Sequence, residues 1–268
     1  MHPFDTATQL ETLPDGSFRG HTSPAYANMV GPFGGVTAAC LLQAPMQHPL
    51  RLGDPIALTV NFAAALADGE FMVVARALRT NRSTQHWAIE LSQGGEVAAS
   101  ATGVFALRRE TWSAPEAAPP ADLPAADTLS RTPLVGRLPW THHYDMRFVH
   151  GAMPEAFDGH ERADSVSQVW VRDEPPRPLD FVALASLCDS FFPRIYVRRR
   201  KVSPIGTVSL TTYFHADAAM LHAQADRHVL GVARALNFRN GYFDQSAEVW
   251  GDDRRLLASS HQIVYYRD

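Results

Sequence analysis

The sequence predicts an α+β protein made of two tandem copies of one unit, each a long helix wrapped by an antiparallel sheet, with the sheets joined edge to edge. Two stretches carry that expectation. Pro55–Leu107 contains ALTVNF, VVARAL, a polar strand and EVAASATGVFAL, and Thr207–Tyr266 contains SLTTYFH, GVARAL, a polar strand and LLASSHQIVYY. Each is preceded by an apolar, helix-like segment, around Gly35–Gln43 and around Asp180–Phe192. A spacing of about 150 residues is far too long for a solenoid repeat, so this is a duplicated domain. A helix covering one face of a sheet is a standard two-layer solution, here written twice.

The elements follow in order. In the first copy, Phe33-Gly34-Gly35 opens a tight turn into a helix over Val36–Leu42, and Pro45 closes it. In the second, Asp180 can cap the helix, and Phe181, Leu184, Leu187, Cys188 and Phe191 form an apolar stripe of helical spacing. Pro193 ends that helix, because the residue before a proline is pushed out of the helical region. A strand over Val166–Val171 precedes it, separated by the polar, proline-rich Arg172–Pro178. Ile56, Leu58 and Val60 alternate with Ala57 and Thr59, and Val208, Leu210, Thr212 and Phe214 alternate with Thr207, Ser209, Thr211 and Tyr213, which is the period of strands. The Ala/Pro-rich segment Ser113–Leu134 reads as a linker, since repeated prolines deny it a helix interior or a central strand. The expected division is therefore 1–112 for the first copy, 113–134 for the linker and 135–268 for the second copy.

Composition narrows the function. The chain has 268 residues, 46% hydrophobic and 19% charged, and a net charge of −4, so there is no broad basic field to release counterions from nucleic acid. No amino-terminal signal pattern and no apolar run of about 20 residues is visible, so no membrane partner and a cytoplasmic location are expected. Cys40 and Cys188 are expected as buried free thiols. There is no G-x-S-x-G elbow, His-Glu-x-x-His helix, P-loop or dinucleotide fingerprint, and the adjacent His142 and His143 lack ligand spacing. Neither a metal nor any other cofactor is expected.

Four motifs are recognisable. GPFGGVTAACLLQA resembles the Gly-Gly helix entry of the hotdog fold found in acyl-CoA thioesterases, and LASLCDSFFP, TVSLTTYFH and ASSHQ resemble the second half of the double-hotdog thioesterases of the acyl-CoA thioesterase II type. The similarity covers nearly the whole chain except the linker. It implies a tandem hotdog fold and a catalytic network of Asp189, Thr207 and Gln262. Where family members often carry Asp-His after the threonine, this chain has Ser209 and Leu210, and where Glu-Gly often follows the glutamine it has Ile263 and Val264.

The same residues can be read on their own chemistry. Asp189 falls in the second half of the expected helix, where the macrodipole disfavours a negative charge, and its neighbours Leu187, Cys188, Phe191 and Phe192 are apolar. A carboxylate so placed has raised proton affinity and can orient or deprotonate a water, whereas a solvated helix face would give it no role. Gln262 can only donate and accept hydrogen bonds, so it can hold a water or meet an oxyanion, or simply be a polar strand residue. Thr207 is equally compatible with an ordinary strand threonine. Aligning Ala99-Ser100 with Ala258-Ser259 puts Gly103 opposite Gln262 and Pro55 opposite Thr207, so only the second copy carries the polar pair. Backbone N–H groups at Gly34-Gly35 are candidates for an oxyanion site, and Arg198, Arg199 and Arg200 for holding coenzyme A phosphates. The expected reaction is hydrolysis of acyl-CoA to free acid and CoA by a homo-oligomer (dimer or higher). The alternatives are a catalytically silent acyl- or ligand-binding protein and, behind it, a hydratase or dehydratase.

Overall fold

The computed structural model describes residues 1–133, 136 and 138–267. The expected junction between linker and second copy, Leu134/Val135, lies outside the described residues. The chain starts with helix α1 (Pro3–Ala7) and strands β1 (Glu11–Thr12) and β2 (Phe18–His21). Helix α2 (Gly34–Gln47) then leads into β3 (Asp54–Phe62), β4 (Glu70–Thr80), β5 (Thr84–Gln93) and β6 (Glu96–Ala106). The second half has β7 (Tyr144–His150), β8 (Ser167–Asp173), α3 (Phe181–Leu187), α4 (Arg194–Arg199) and β9 (Ile205–Phe214). It closes with α5 (Ala218–Gln224), β10 (Val229–Arg234), β11 (Phe238–Arg239), β12 (Tyr242–Trp250) and β13 (Leu256–Tyr266).

The strands form one antiparallel sheet in the order β1-β2-β4-β5-β6-β3-β9-β13-β12-β10-β8-β7, with β11 hairpinned onto β12. Read outward from the centre, β3-β6-β5-β4-β2 and β9-β13-β12-β10-β8 repeat one order in both halves. The halves meet at β3 and β9, where Thr59 pairs with Thr211 and their hydroxyls lie 3.0 Å apart on the pseudo-twofold axis. Registers coincide as well: Leu58 pairs with Gly103 as Leu210 pairs with Gln262. The fold is the tandem hotdog, with α2 and α3 packed against each other inside the curved sheet.

Four local differences from the sequence expectation matter. Helix α2 runs through Pro45, whose missing N–H falls in the last turns and whose ring is accommodated two residues before the end. The second helix is broken: α3 is capped by Asp180, which accepts from Ala183 N at 2.8 Å, and stops at Leu187, with α4 restarting after Pro193. Asp189 therefore lies in the turn between two short helices. Third, α5 occupies the β9–β10 connection, capped by Asp217, where the first copy has a loop. Fourth, β9 is bulged: Ser209 pairs with Ile263 and Thr207 with Val264, leaving Val208 unpaired. A bulge switches the face of every residue beyond it. Val208 is turned out (41% exposed), and Thr207 is brought to the same inner side as Leu210 and Gln262, against the straight alternation expected. The first copy has the same bulge at Ile56, between Pro55 and Ala57.

The linker is fastened to the second half of the sheet. Pro124 O accepts from Trp170 Nε1 at 3.0 Å, Ala126 O from Arg147 at 3.1 Å, and Thr132 pairs through its N–H with Met146 O at 2.8 Å. No helix among the described residues is long and apolar enough to cross a membrane.

Candidate active site

Asp189, Thr207 and Gln262 come from the α3–α4 turn, β9 and β13, and all three line one cavity of about 610 Å³. Its wall is mainly apolar and aromatic, with Phe33 stacked on Trp140 at 4.3 Å, and with Phe62, Phe191, Phe192 and Tyr196. Residues from both halves contribute, so the cavity belongs to the duplicated molecule rather than to either copy.

The Asp189 carboxylate is fixed from two sides. Gln262 Nε2 donates to its Oδ1 at 2.7 Å. The amino end of α2 comes up from the other side, close enough that a Cβ on Gly34 would stand 2.7 Å from Asp189 Oδ2. A Cβ on Gly35 would meet Ser186 O at 2.6 Å, so the glycine pair is what lets α2 approach α3 and the carboxylate. The turn itself is held by Ser260 Oγ, which donates to Cys188 O at 3.2 Å, and by Asp189 N bonding to Ser186 O at 3.1 Å. Burial pushes the Asp189 pKa from 3.8 up to about 7; the Gln262 bond and then the Gly35 N–H pull against that rise. The dipole expectation is corrected here. Asp189 has left α3 and faces the positive end of the 14-residue α2, which favours its charge. What raises its proton affinity is desolvation.

Thr207 sits on the cavity wall by virtue of the bulge. Gly34 lines the cavity too, but the Gly35 N–H is directed at Asp189, so it serves the carboxylate rather than an incoming oxygen. The basic run is turned elsewhere. Arg198 and Arg199 meet Glu161 at 3.3 and 3.7 Å, and Arg200 meets Asp158 at 2.7 Å, pinning the 158–161 loop rather than lining the cavity. Cys40 and Cys188 are free and buried, with burial pushing both thiols up to about 12, so neither offers a thiolate.

Sequence reasoning missed two groups. Gln245 on β12 pairs directly with Gln262 on β13 and also lines the cavity. Behind it, Arg194 is wholly buried, with Nε 3.0 Å from Gln245 Oε1. The signal available was position: Gln245 interrupts an inward-facing apolar series of Phe243, Ala247 and Val249.

Family models cover most of the chain. Residues 115–266 match the acyl-CoA thioesterase C-terminal domain and residues 23–106 the acyl-CoA thioesterase N-terminal domain. The chain belongs to the double-hotdog acyl-CoA thioesterase-like superfamily. Among solved structures, a conserved hot dog protein of unknown function from Alicyclobacillus acidocaldarius is 47% identical, with a TM-score of 0.95 over 100% of this chain and 99% of that one. An acyl-CoA thioesterase II from Mycobacterium marinum is 20% identical, with a TM-score of 0.79 over 98% of each chain. A dehydratase domain from Mycobacterium tuberculosis is 13% identical, with a TM-score of 0.55 over the full length of both. The last two likenesses concern the fold. No curated protein matches this chain.

Proposed function

We propose that this protein hydrolyses acyl-CoA thioesters to a free acid and CoA, using a water activated by Asp189, Thr207 and Gln262. The observation that carries the reading is Asp189 itself: a carboxylate with a pKa raised to about 7, held by Gln262 at 2.7 Å on the wall of a mostly apolar cavity. A general base works best when its pKa lies near the working pH. In its ionised form Asp189 accepts a proton from water as the water oxygen bonds to the thioester carbonyl carbon, and the C=O electron pair moves to oxygen. The oxyanion then re-forms the carbonyl, the C–S bond breaks, and the departing thiolate takes the proton from Asp189. Gln262 fixes the carboxylate, and the Thr207 hydroxyl holds the water from the β9 side. A thiolate is a good leaving group, so no protein nucleophile is needed. Cytoplasmic location is part of the proposal, in keeping with two buried free thiols.

The test is release of free thiol across a panel of acyl-CoAs differing in chain length and in aromatic or aliphatic acyl group. Turnover of at least one member, dependent on Asp189, is expected. Binding without thiol release for every member would favour the silent ligand-binding reading, which the Ser209-Leu210 departure motivates.

A further inference from the structure

We propose that Gln245, oriented by Arg194, is the donor that receives the carbonyl oxygen of the substrate as it becomes an oxyanion. This rests on the thioester-hydrolysis reading and assigns a catalytic residue within it.

The argument starts from Arg194, which is 0% exposed. Its guanidinium donates to Phe192 O at 3.0 Å through Nε and again through Nη2, to Ser165 O and Ser167 Oγ at 2.8 Å, to Ala233 O at 3.4 Å and to Gln245 Oε1 at 3.0 Å. Every acceptor is neutral, and among the described residues no carboxylate stands within ion-pair distance. A buried charge is ordinarily paired, because leaving water is costly for it. Burial lowers the Arg194 pKa to about 9, which still leaves it charged at neutral pH. The molecule thus holds a fixed positive charge behind the cavity wall with no carboxylate paired to it.

Gln245 stands between that charge and the cavity. Guanidinium has donors only, so the Gln245 amide must turn its oxygen to Arg194, and its Nε2 then faces away from it. Among the described residues nothing accepts from Gln245 Nε2. The residue is directly opposite Gln262 across β12 and β13, and side chains so paired have Cβ atoms about 4.5–5.5 Å apart. Gln245 therefore lies beside the amide that holds Asp189. Of the other donors near the carboxylate, the Gly35 N–H and one hydrogen of Gln262 Nε2 serve Asp189. A free, pre-oriented amide N–H backed by a buried cation is suited to charge that exists only in the transition state. During the attack the carbonyl electron pair moves onto oxygen against Gln245 Nε2 and returns when the C–S bond breaks. Gln245 neither gains nor loses a proton.

The experiment compares wild type, Gln245→Glu and Gln245→Met by steady-state thiol release, thermal unfolding and inhibition by an S-alkyl-CoA thioether, which lacks the carbonyl. Glu keeps an acceptor for Arg194 and removes the donor; Met removes both at similar volume. Loss of one oxyanion donor lowers kcat by about 10²–10³-fold. That drop is expected in both variants, with thioether inhibition within a few-fold of wild type and Gln245→Glu as heat-stable as wild type. Wild-type kcat in either folded variant overturns the assignment while leaving hydrolysis intact. Equal weakening of thioether binding and turnover overturns it too, in favour of a packing role. An inactive wild type overturns both this inference and the hydrolysis reading.

Discussion

In the proposed hydrolysis Asp189 sets the chemistry through its proton affinity, and that affinity predicts two pH dependences. Activity needs the ionised form, so kcat/KM should rise with pH and level off above an apparent pKa near 7. Stability should move the other way. Between the ordinary carboxylate value of 3.8 and about 7, the folded state binds more protons than the unfolded chain, so stability falls as pH rises through that window. Each pKa unit corresponds to about 1.4 kcal/mol. Asp189→Asn should therefore match wild type in melting temperature near pH 3.5 and exceed it above pH 7. Asp173, also pushed to about 7 by burial, is present in both proteins and cancels from the comparison. Melting curves of the two at several pH values check this; a constant difference would contradict the shift. Asp189 and Gln262 stood out in the sequence, one for its apolar neighbours and one from the comparison of the copies. Gln245 did not, because its importance depends on a strand pairing and on a buried arginine fifty-one positions away.

At the scale of elements, the amino end of α2 and the bulge in β9 place the polar groups. The glycine pair was legible as a tight helix entry, but its reason, the approach of Asp189 and Ser186 O, needed the packing of two helices distant in sequence. The break between α3 and α4 was hidden for a related reason. Apolar spacing continues to Phe191, whereas the backbone turns after Leu187 to present Asp189. The bulge was invisible because Val208 fits a regular strand as well as a bulged one. Gly34→Ala tests the first device. Its Cβ would displace a flexible carboxylate rather than backbone, so turnover should fall by about tenfold or more while the melting temperature changes little. A large melting shift with turnover intact would contradict it. Inserting one residue between Ile263 and Val264 tests the second: Val208 would gain a partner, regular pairing would turn Thr207 outward, and thiol release should drop to the level of Thr207→Ala.

For the whole molecule, duplication was the most legible property, since two copies of one pattern imply one sheet order repeated about β3 and β9. The cavity was less so, because its wall draws on Phe33, Phe62 and Leu66 from one half and Trp140, Phe191 and Val264 from the other. Only the second half carries the set of Asp189, Thr207 and Gln262: Gly103 and Pro55 stand in register where Gln262 and Thr207 stand. Calorimetric titration with an S-alkyl-CoA should accordingly give one site per chain, and two would contradict the asymmetry. The account as a whole depends on Asp189 acting on water. Its most direct test is the initial rate of thiol release by Asp189→Asn on the best acyl-CoA of the panel, with folding verified by melting. A fall of about 10²–10⁴-fold relative to wild type is the predicted result; release by the folded variant at the wild-type rate would contradict it.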